Sequence, residues 1–392
     1  MNAARPREVW RQRFVSAAII GTTTIVLFYL VDWGYGLAVP TKPYAASAER
    51  LTASAYKHEP YFSEAFLVES FTQPGGWETP PDTRIVVPKP YAGKDFHVDV
   101  LPPTGLPYRR TINPDATDPQ ARVVLLLGGS TVYNSEVPDR LTLASQLSAL
   151  LNATGGPPYV VLNAGVSSVN TTQELERLEA EIARGLKPWA VLTLNGINDV
   201  NQGVYFGSPE GVMFSGDQRS RTKEWLRAVL PLNIWHSFRV TAQQRNTRTV
   251  PAHLDTIESI DALAVETGKV YSRNVEAMYR VSQRAGAHFW SVLQPHFYST
   301  EYQHSGSADL AEVAALTERT LPESRAAFES GYRELRATTS TLRARGIGVS
   351  DASGIFADKT DDIFLDMAHV NSIGNRMLAE HLAALVLADA GS

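Results

Sequence analysis

From Arg122 onward the chain alternates short apolar runs with longer segments whose apolar side chains recur every three or four positions. The runs are Val123 to Leu127, Tyr159 to Leu162, Ala190 to Leu194, Phe289 to Leu293 and Ile347 to Val349. Each is short, and the first four are rich in Val, Leu or aromatic residues, the pattern of strands buried on both faces. Between the first two, Leu143, Leu147 and Leu150 repeat at helical spacing; Leu175, Leu178 and Ile182 do so between the second and third. Thr171 with Glu174 predicts a capping box for that second helix, and Gly185 its stop. Further helices are predicted near Asp255 to Arg284, from Leu321 to Arg345 and from about Ile373 to Ala388. Strand and helix in this alternation predict a parallel sheet covered on both faces.

The first 120 residues follow neither pattern. Phe14 to Val31 is an uncharged, mostly apolar run of about the length that crosses a bilayer as a helix. Arg5, Arg7, Arg11 and Arg13 precede it against the single acid Glu8, and Trp33 and Tyr35 follow at interface depth. The excess of arginine predicts a cytoplasmic N-terminus, with everything after about Asp32 outside. A cleavable secretory signal shares the basic start and apolar middle, with Ala46-Ser47-Ala48 as its small-residue cleavage site. The apolar run is long for that, and the site lies far past its end. Residues 39–120 are rich in Pro and Tyr and lack a helical period, which predicts an extended lead-in with a few short strands. The expected divisions are a basic tail 1–13, a membrane anchor 14–33, a lead-in 34–120 packed on the main domain, and an α/β domain 121–392 with an insertion at about 201–287.

Composition narrows the classes. With 36 basic and 41 acidic side chains among 392 residues, the net charge of −5 offers no basic surface of the kind that neutralises phosphates, so nucleic acid is a poor partner. The absence of cysteine removes disulfides, thiolate zinc sites and thiol nucleophiles together. His58, His97, His236, His253 and His304 have no ligand spacing with acidic partners, so no metal and no other cofactor is expected.

In parallel sheets the reactive site lies beyond the carboxyl ends of the strands. Gly128-Gly129-Ser130-Thr131 follows the first predicted strand, Asn163-Ala164-Gly165 the second, and Asn195-Gly196-Ile197-Asn198-Asp199 the third. Asp366-Met367-Ala368-His369 lies beyond the fifth and runs into the last helix. All fall on one edge of the predicted sheet. A phosphate loop at Gly128-Gly129 lacks its lysine. A serine hydroxyl, by contrast, needs a base to take its proton and a carboxylate to orient that base, and Ser130, His369 and Asp366 supply these parts. The N–H groups of Ser130 and Gly165 and the side-chain amide of Asn198 are candidate donors to an oxyanion. Tyr133, Asn134 and His296 are candidate substrate contacts, while Asp199, beside a developing oxyanion, reads as structural.

The order GGST, NAG, GxND and DxxH resembles the SGNH/GDSL hydrolase superfamily, whose four marker residues would fall on Ser130, Gly165, Asn198 and His369. The resemblance covers roughly Arg122 to Ala388. The lead-in, including Tyr108-Arg109-Arg110-Thr111, is similar to membrane-anchored bacterial members of the cell-envelope type. What the resemblance implies is a three-layer α/β/α sandwich on a five-stranded parallel, flavodoxin-like sheet, and ester or acyl-transfer chemistry without a metal. In the first block the usual acidic residue before the serine is Gly129 here, and in the second the frequent later glycine is Ser168. The expected activity is that of an extracytoplasmic esterase acting on O-acyl groups, O-acetyl above all, of a glycan. An O-acyltransferase and a non-catalytic anchored scaffold are the rival readings.

Overall fold

The computed structural model describes residues 6–38, 59, 61, 63–72, 76–81, 83–114, 120–212, 251–299, 313–318, 321–359 and 362–390. The chain divides into two compact units, residues 1–43 with 217–249, and residues 44–216 with 250–392. In the first, helix α1 (Pro6–Ala38) contains a stretch, Arg13–Tyr35, long and apolar enough to cross a membrane. Phe14, Ile19, Leu27 and Leu30 on it are exposed. Exposing a large apolar side chain to water costs roughly 1.5–3 kcal/mol, so an apolar surrounding suits this helix. The Ala46-Ser47-Ala48 stretch and residues 213–250 of the insertion lie outside the described residues.

The second unit begins with α2 (Glu64–Thr72) and the short strands β1 (Trp77–Glu78), β2 (Val87–Pro88), β3 (Tyr91–Ala92), β4 (His97–Leu101) and β5 (Leu106–Arg109). It continues through β6 (Arg122–Gly128), α3 (Ser130–Tyr133), α4 (Leu143–Asn152), β7 (Tyr159–Asn163), α5 (Thr171–Ala183), β8 (Ala190–Asn195) and α6 (Ile197–Val200). After the insertion come α7 (Ile257–Arg284), β9 (His288–Leu293), α8 (Ser324–Ala344), β10 (Val349–Asp351) and α9 (Ser372–Ala390).

Alternate side chains of the central strands enter different layers, as the two-residue period of a strand requires. Leu125 and Leu127 of β6, Val191 of β8 and Phe289 of β9 join one core with Leu178 of α5, Val275 and Met278 of α7 and Leu335 of α8. Val124 and Leu126, Leu192 and Leu194, and Val292 join the other with Leu147 of α4 and Leu378 and Leu382 of α9. The result is the expected three-layer α/β/α sandwich.

The sheet differs from a five-stranded parallel one. Its eight strands run β10-β9-β8-β6-β7-β5-β4-β3. From β10 to β7 every neighbour is parallel; from β7 outward, β5, β4 and β3 are antiparallel and come from the lead-in. The lead-in therefore extends the sheet rather than only packing on it. The β5–β7 junction is a single residue pair, Arg109 with Asn163. Beside it the Asn113 side chain takes a strand's place, accepting from Val161 N and donating to Val161 O at 2.9 Å each.

Two local expectations shift. The last parallel strand spans Val349–Asp351 instead of Ile347 to Val349, and just before it Gly348 lies where a Cβ would be 2.2 Å from Phe289 O. The cap of α5 is Asn170, not Thr171, and accepts from Gln173 N. Glu174 is buried and accepts from Asn195 Nδ2 at 3.1 Å, so it serves the strand ends rather than a capping box.

Candidate active site

The chain leaves β6 through a turn that only glycine fits. A Cβ on Gly128 would lie 2.4 Å from Val132 Cγ2 and 2.6 Å from Leu194 O. Gly129 caps α3 in extended conformation and Ser130 is its first residue. At that position a backbone N–H has no acceptor within its own helix. Ser130 itself is partly exposed.

Asp366 and His369 share a tight turn closed by the bond from Leu365 N to His369 O, 2.8 Å. Asp366 Oδ1 accepts from the backbone N–H groups of Ala368 and His369 at 2.9 Å each, which fixes the carboxylate beside the ring. His369 Nδ1 lies 2.8 Å from both carboxylate oxygens. A carboxylate there holds the proton on Nδ1 and leaves Nε2 as the basic nitrogen. The bond from Phe297 N to Met367 O, 2.9 Å, ties this turn to the loop after β9.

The segment that begins with Ser130 meets α9 at one point and this turn at another. Asn134 Nδ2 donates to Asn375 Oδ1 of α9 at 3.2 Å. Glu136 Oε1 lies 3.7 Å from His369 Nε2. Glu136 is only 2% exposed and carries no motif, six residues past the serine, so nothing in the sequence pointed to it.

Asn198 comes from the turn after β8, where Gly196 has φ +110° and a Cβ would lie 2.4 Å from Leu293 Cδ1. Its Nδ2 donates to Val169 O at 2.7 Å, which leaves a second amide proton to offer. That Nδ2 would lie 2.3 Å from a Cβ on Gly129, so glycine before the serine makes room for the amide. Gly165 N–H donates to Asn163 Oδ1 at 3.0 Å and is engaged as it stands. Its lack of a side chain serves packing, since a Cβ would be 2.4 Å from Tyr133 N. Ser130 N–H and Asn198 Nδ2 are therefore the better-placed donors. Asp199 accepts from Thr171 N at 3.2 Å and from Thr171 Oγ1 at 2.5 Å, and burial pushes its carboxyl up to about 6.

The three expected substrate contacts lie beneath the surface. Tyr133 packs against Trp77 and Phe96, ring centroids 5.0 and 5.8 Å away. Asn134 donates to Thr131 O at 2.8 Å and accepts from Leu143 N at 2.7 Å, so its amide fastens α3 to α4. His296 stacks on Phe328 with centroids 4.1 Å apart and its Nδ1 accepts from Tyr298 N at 3.1 Å. Burial pushes its pKa down to about 3, so the ring is neutral. These side chains support the site rather than line a cleft. Among the described residues no group of three or more His, Asp or Glu could hold a metal ion.

No family model and no curated protein matches the chain. Its structure is similar to that of a GDSL-like lipase from Bacteroides thetaiotaomicron, at 11% identity and TM-score 0.36 over 68% of this chain and 89% of that one. A lipase/acylhydrolase from Enterococcus faecalis aligns at 16% identity and TM-score 0.36 over 68% and 94% of the two chains. An acetyl xylan esterase aligns at 14% identity and TM-score 0.37 over 67% and 99%.

Proposed function

We propose that the protein is a membrane-anchored serine esterase of the SGNH type, with Ser130 as nucleophile, His369 as base and Asp366 as the group that orients it. The observation that supports this reading is the Asp366–His369 hydrogen bond, with Glu136, six residues past Ser130 on the same segment, 3.7 Å from His369 Nε2. Ser130 Oγ attacks the ester carbonyl and its proton passes to His369 Nε2. The oxyanion is received by Ser130 N–H and the second proton of Asn198 Nδ2. The intermediate collapses with cleavage of the ester C–O bond, and the leaving alkoxide takes the proton from Nε2. A water or sugar hydroxyl then gives its proton to His369 Nε2 and attacks the acyl carbon, and as the bond to Ser130 Oγ breaks that proton passes to Oγ and restores the serine.

The substrate class we assign is an O-acyl, above all O-acetyl, ester of a glycan outside the cytoplasmic membrane. Support for the location is α1, whose apolar stretch follows an arginine-rich start. Support for the glycan is the sequence resemblance to cell-envelope members. Acetate release from an acetylated oligosaccharide by the full-length protein tests the reading. Wild type is expected to release acetate and Ser130→Ala to lose the activity by at least about a thousandfold. Undiminished release by Ser130→Ala would overturn it. Acetylated product in place of acetate, when an unacetylated oligosaccharide is present, would identify the same acyl-enzyme as a transferase.

A further inference from the structure

His369 faces a carboxylate at each ring nitrogen. Asp366 is bonded to Nδ1, and Glu136 Oε1 lies 3.7 Å from Nε2, the nitrogen that the reaction uses. Glu136 does not reach the surface, and its loop is fastened from below. Arg109, itself fully buried under the Phe96 ring at 3.8 Å, donates to Val137 O at 3.1 Å and to Asp139. Asp139 Oδ2 is also 2.6 Å from His97 Nδ1. Residues 137 and 139, one and three positions past Glu136, are thus held by one guanidinium. A side chain on so constrained a loop, set against a reactive nitrogen, is a device for controlling that nitrogen.

We propose that Glu136 is a positioning residue of this site: its carboxylate, set against Nε2, favours the doubly protonated ring and stabilises the imidazolium formed when Ser130 loses its proton. The inference rests on the assignment of His369 as base. Its chemistry balances without a further reactant, because the proton that leaves Ser130 Oγ stays on Nε2 until the leaving alkoxide takes it. Glu136 acts in this proposal through the ring, by its position against Nε2. Two opposed consequences follow. The charge lowers the barrier for proton uptake by the ring, and it also keeps the resting ring protonated to higher pH, so the base is withheld in acid.

Several other groups near this ring carry no charge that would duplicate the effect. His296, near Asp366, is neutral because burial holds its pKa near 3. Tyr61 of the lead-in is raised first by burial and then by the charges of Glu59 and Glu136, so its hydroxyl stays un-ionised. Glu59 accepts from Ser372 Oγ and N at 2.6 and 3.2 Å and so belongs to the start of α9. Tyr133 is raised by burial and is likewise neutral. Arg109, a cation that fixes the Glu136 loop, is paired with Asp139.

The test is a proton titration of the ring itself. Full-length protein in detergent micelles, with histidine carrying 13C at Cε1, gives a resonance for His369 that is assigned by its loss in His369→Gln. The expected midpoint lies above the ordinary 6.5 in wild type and falls by about one pH unit or more in Glu136→Gln. Glu136→Asp, which keeps the charge but draws it back, is expected between the two and decides the matter if the glutamine variant does not fold. In parallel, the acid limb of Ser130 labelling by a fluorophosphonate is expected to move to lower pH in Glu136→Gln, with a maximal rate several-fold reduced. An unchanged His369 midpoint in the variants overturns the proposal even where Ser130 still labels. A shifted midpoint with no labelling of Ser130 at any pH upholds the Glu136 contact and overturns the esterase reading instead.

Discussion

Along β7 and β8 every residue is buried and most are apolar, whereas β5, one strand further out, buries Tyr108 and the whole of Arg109. The parallel half is held by apolar burial, and its strand ends deliver Ser130, Asn198 and, through the following turn, the Asp366–His369 pair. The antiparallel half also buries apolar side chains, Leu106, Phe96 and Val98 among them, and adds to them a set of buried polar contacts. Tyr108 donates to Glu181 Oε2 at 2.5 Å, Arg177 pairs with Glu181 at 2.6 Å, and Arg177 also donates to Pro107 O at 3.1 Å. Burial and the neighbouring Glu181 charge both raise the Tyr108 hydroxyl, so it remains a donor. The difference teaches a division of labour: one half presents the reactive groups, and the other, through Arg109, fixes the loop that bears Glu136.

The largest test of that division falls on the parallel half. Asp366→Asn keeps the shape but can hold the wrong ring tautomer, and ester hydrolysis is expected to fall by about 10³–10⁴ with little change in the denaturation midpoint. A fall under tenfold would detach Asp366 from the chemistry. Arg109→Ala should do the reverse, costing about 3–5 kcal/mol of stability because it removes the fully buried donor shared by Asp139 and Val137 O and leaves Asp139 with His97 alone. Chemical denaturation measures this, and a loss under about 1 kcal/mol would show that the antiparallel half does not depend on its buried charge. Asn198→Ala is expected to lower kcat by about 10²–10³ with KM nearly unchanged, as removal of one oxyanion donor does. Equal loss in KM and kcat/KM would make Asn198 a ground-state contact.

The smallest effect concerns pH and His296. A histidine near 3 in the folded state and near 6.5 when unfolded contributes stability fully above pH 6.5, and loses it as pH falls from 6.5 toward 3. His296→Phe, which keeps the stack on Phe328, should therefore lose less stability on acidification, by roughly a kcal/mol per pH unit in that window. Asp199, raised to about 6, titrates in the opposite sense in both proteins and cancels from the difference. Parallel stability curves for the two would contradict the buried, neutral ring.

The parallel half was legible because its signal is local. Runs such as Val123 to Leu127 and Ala190 to Leu194 need no partner to be recognised, and the glycine-rich blocks stand directly at their ends. Of the antiparallel half the short strands were legible, but not their place in the sheet, for the opposite reason. Leu106–Arg109 contains proline and arginine, and becomes a buried strand only once Glu181, Arg177 and Asp139 arrive from elsewhere in the chain. The same holds within the site. Ser130, Asn198, Asp366 and His369 carry spacing, whereas Glu136 is placed by a loop whose anchor, Arg109, is 27 positions earlier in numbering. Tyr133, Asn134 and His296 were expected near substrate because they adjoin the blocks in sequence, but α3 and the post-β9 loop turn them inward.

The account depends most on Ser130 being activated by His369. A serine-directed fluorophosphonate, applied to the full-length protein and located by mass spectrometry, reads this directly. The account predicts modification at Ser130 in wild type, none in Ser130→Ala, and a rate reduced by at least about a thousandfold in His369→Ala. Labelling of Ser130 at an undiminished rate in His369→Ala would contradict it.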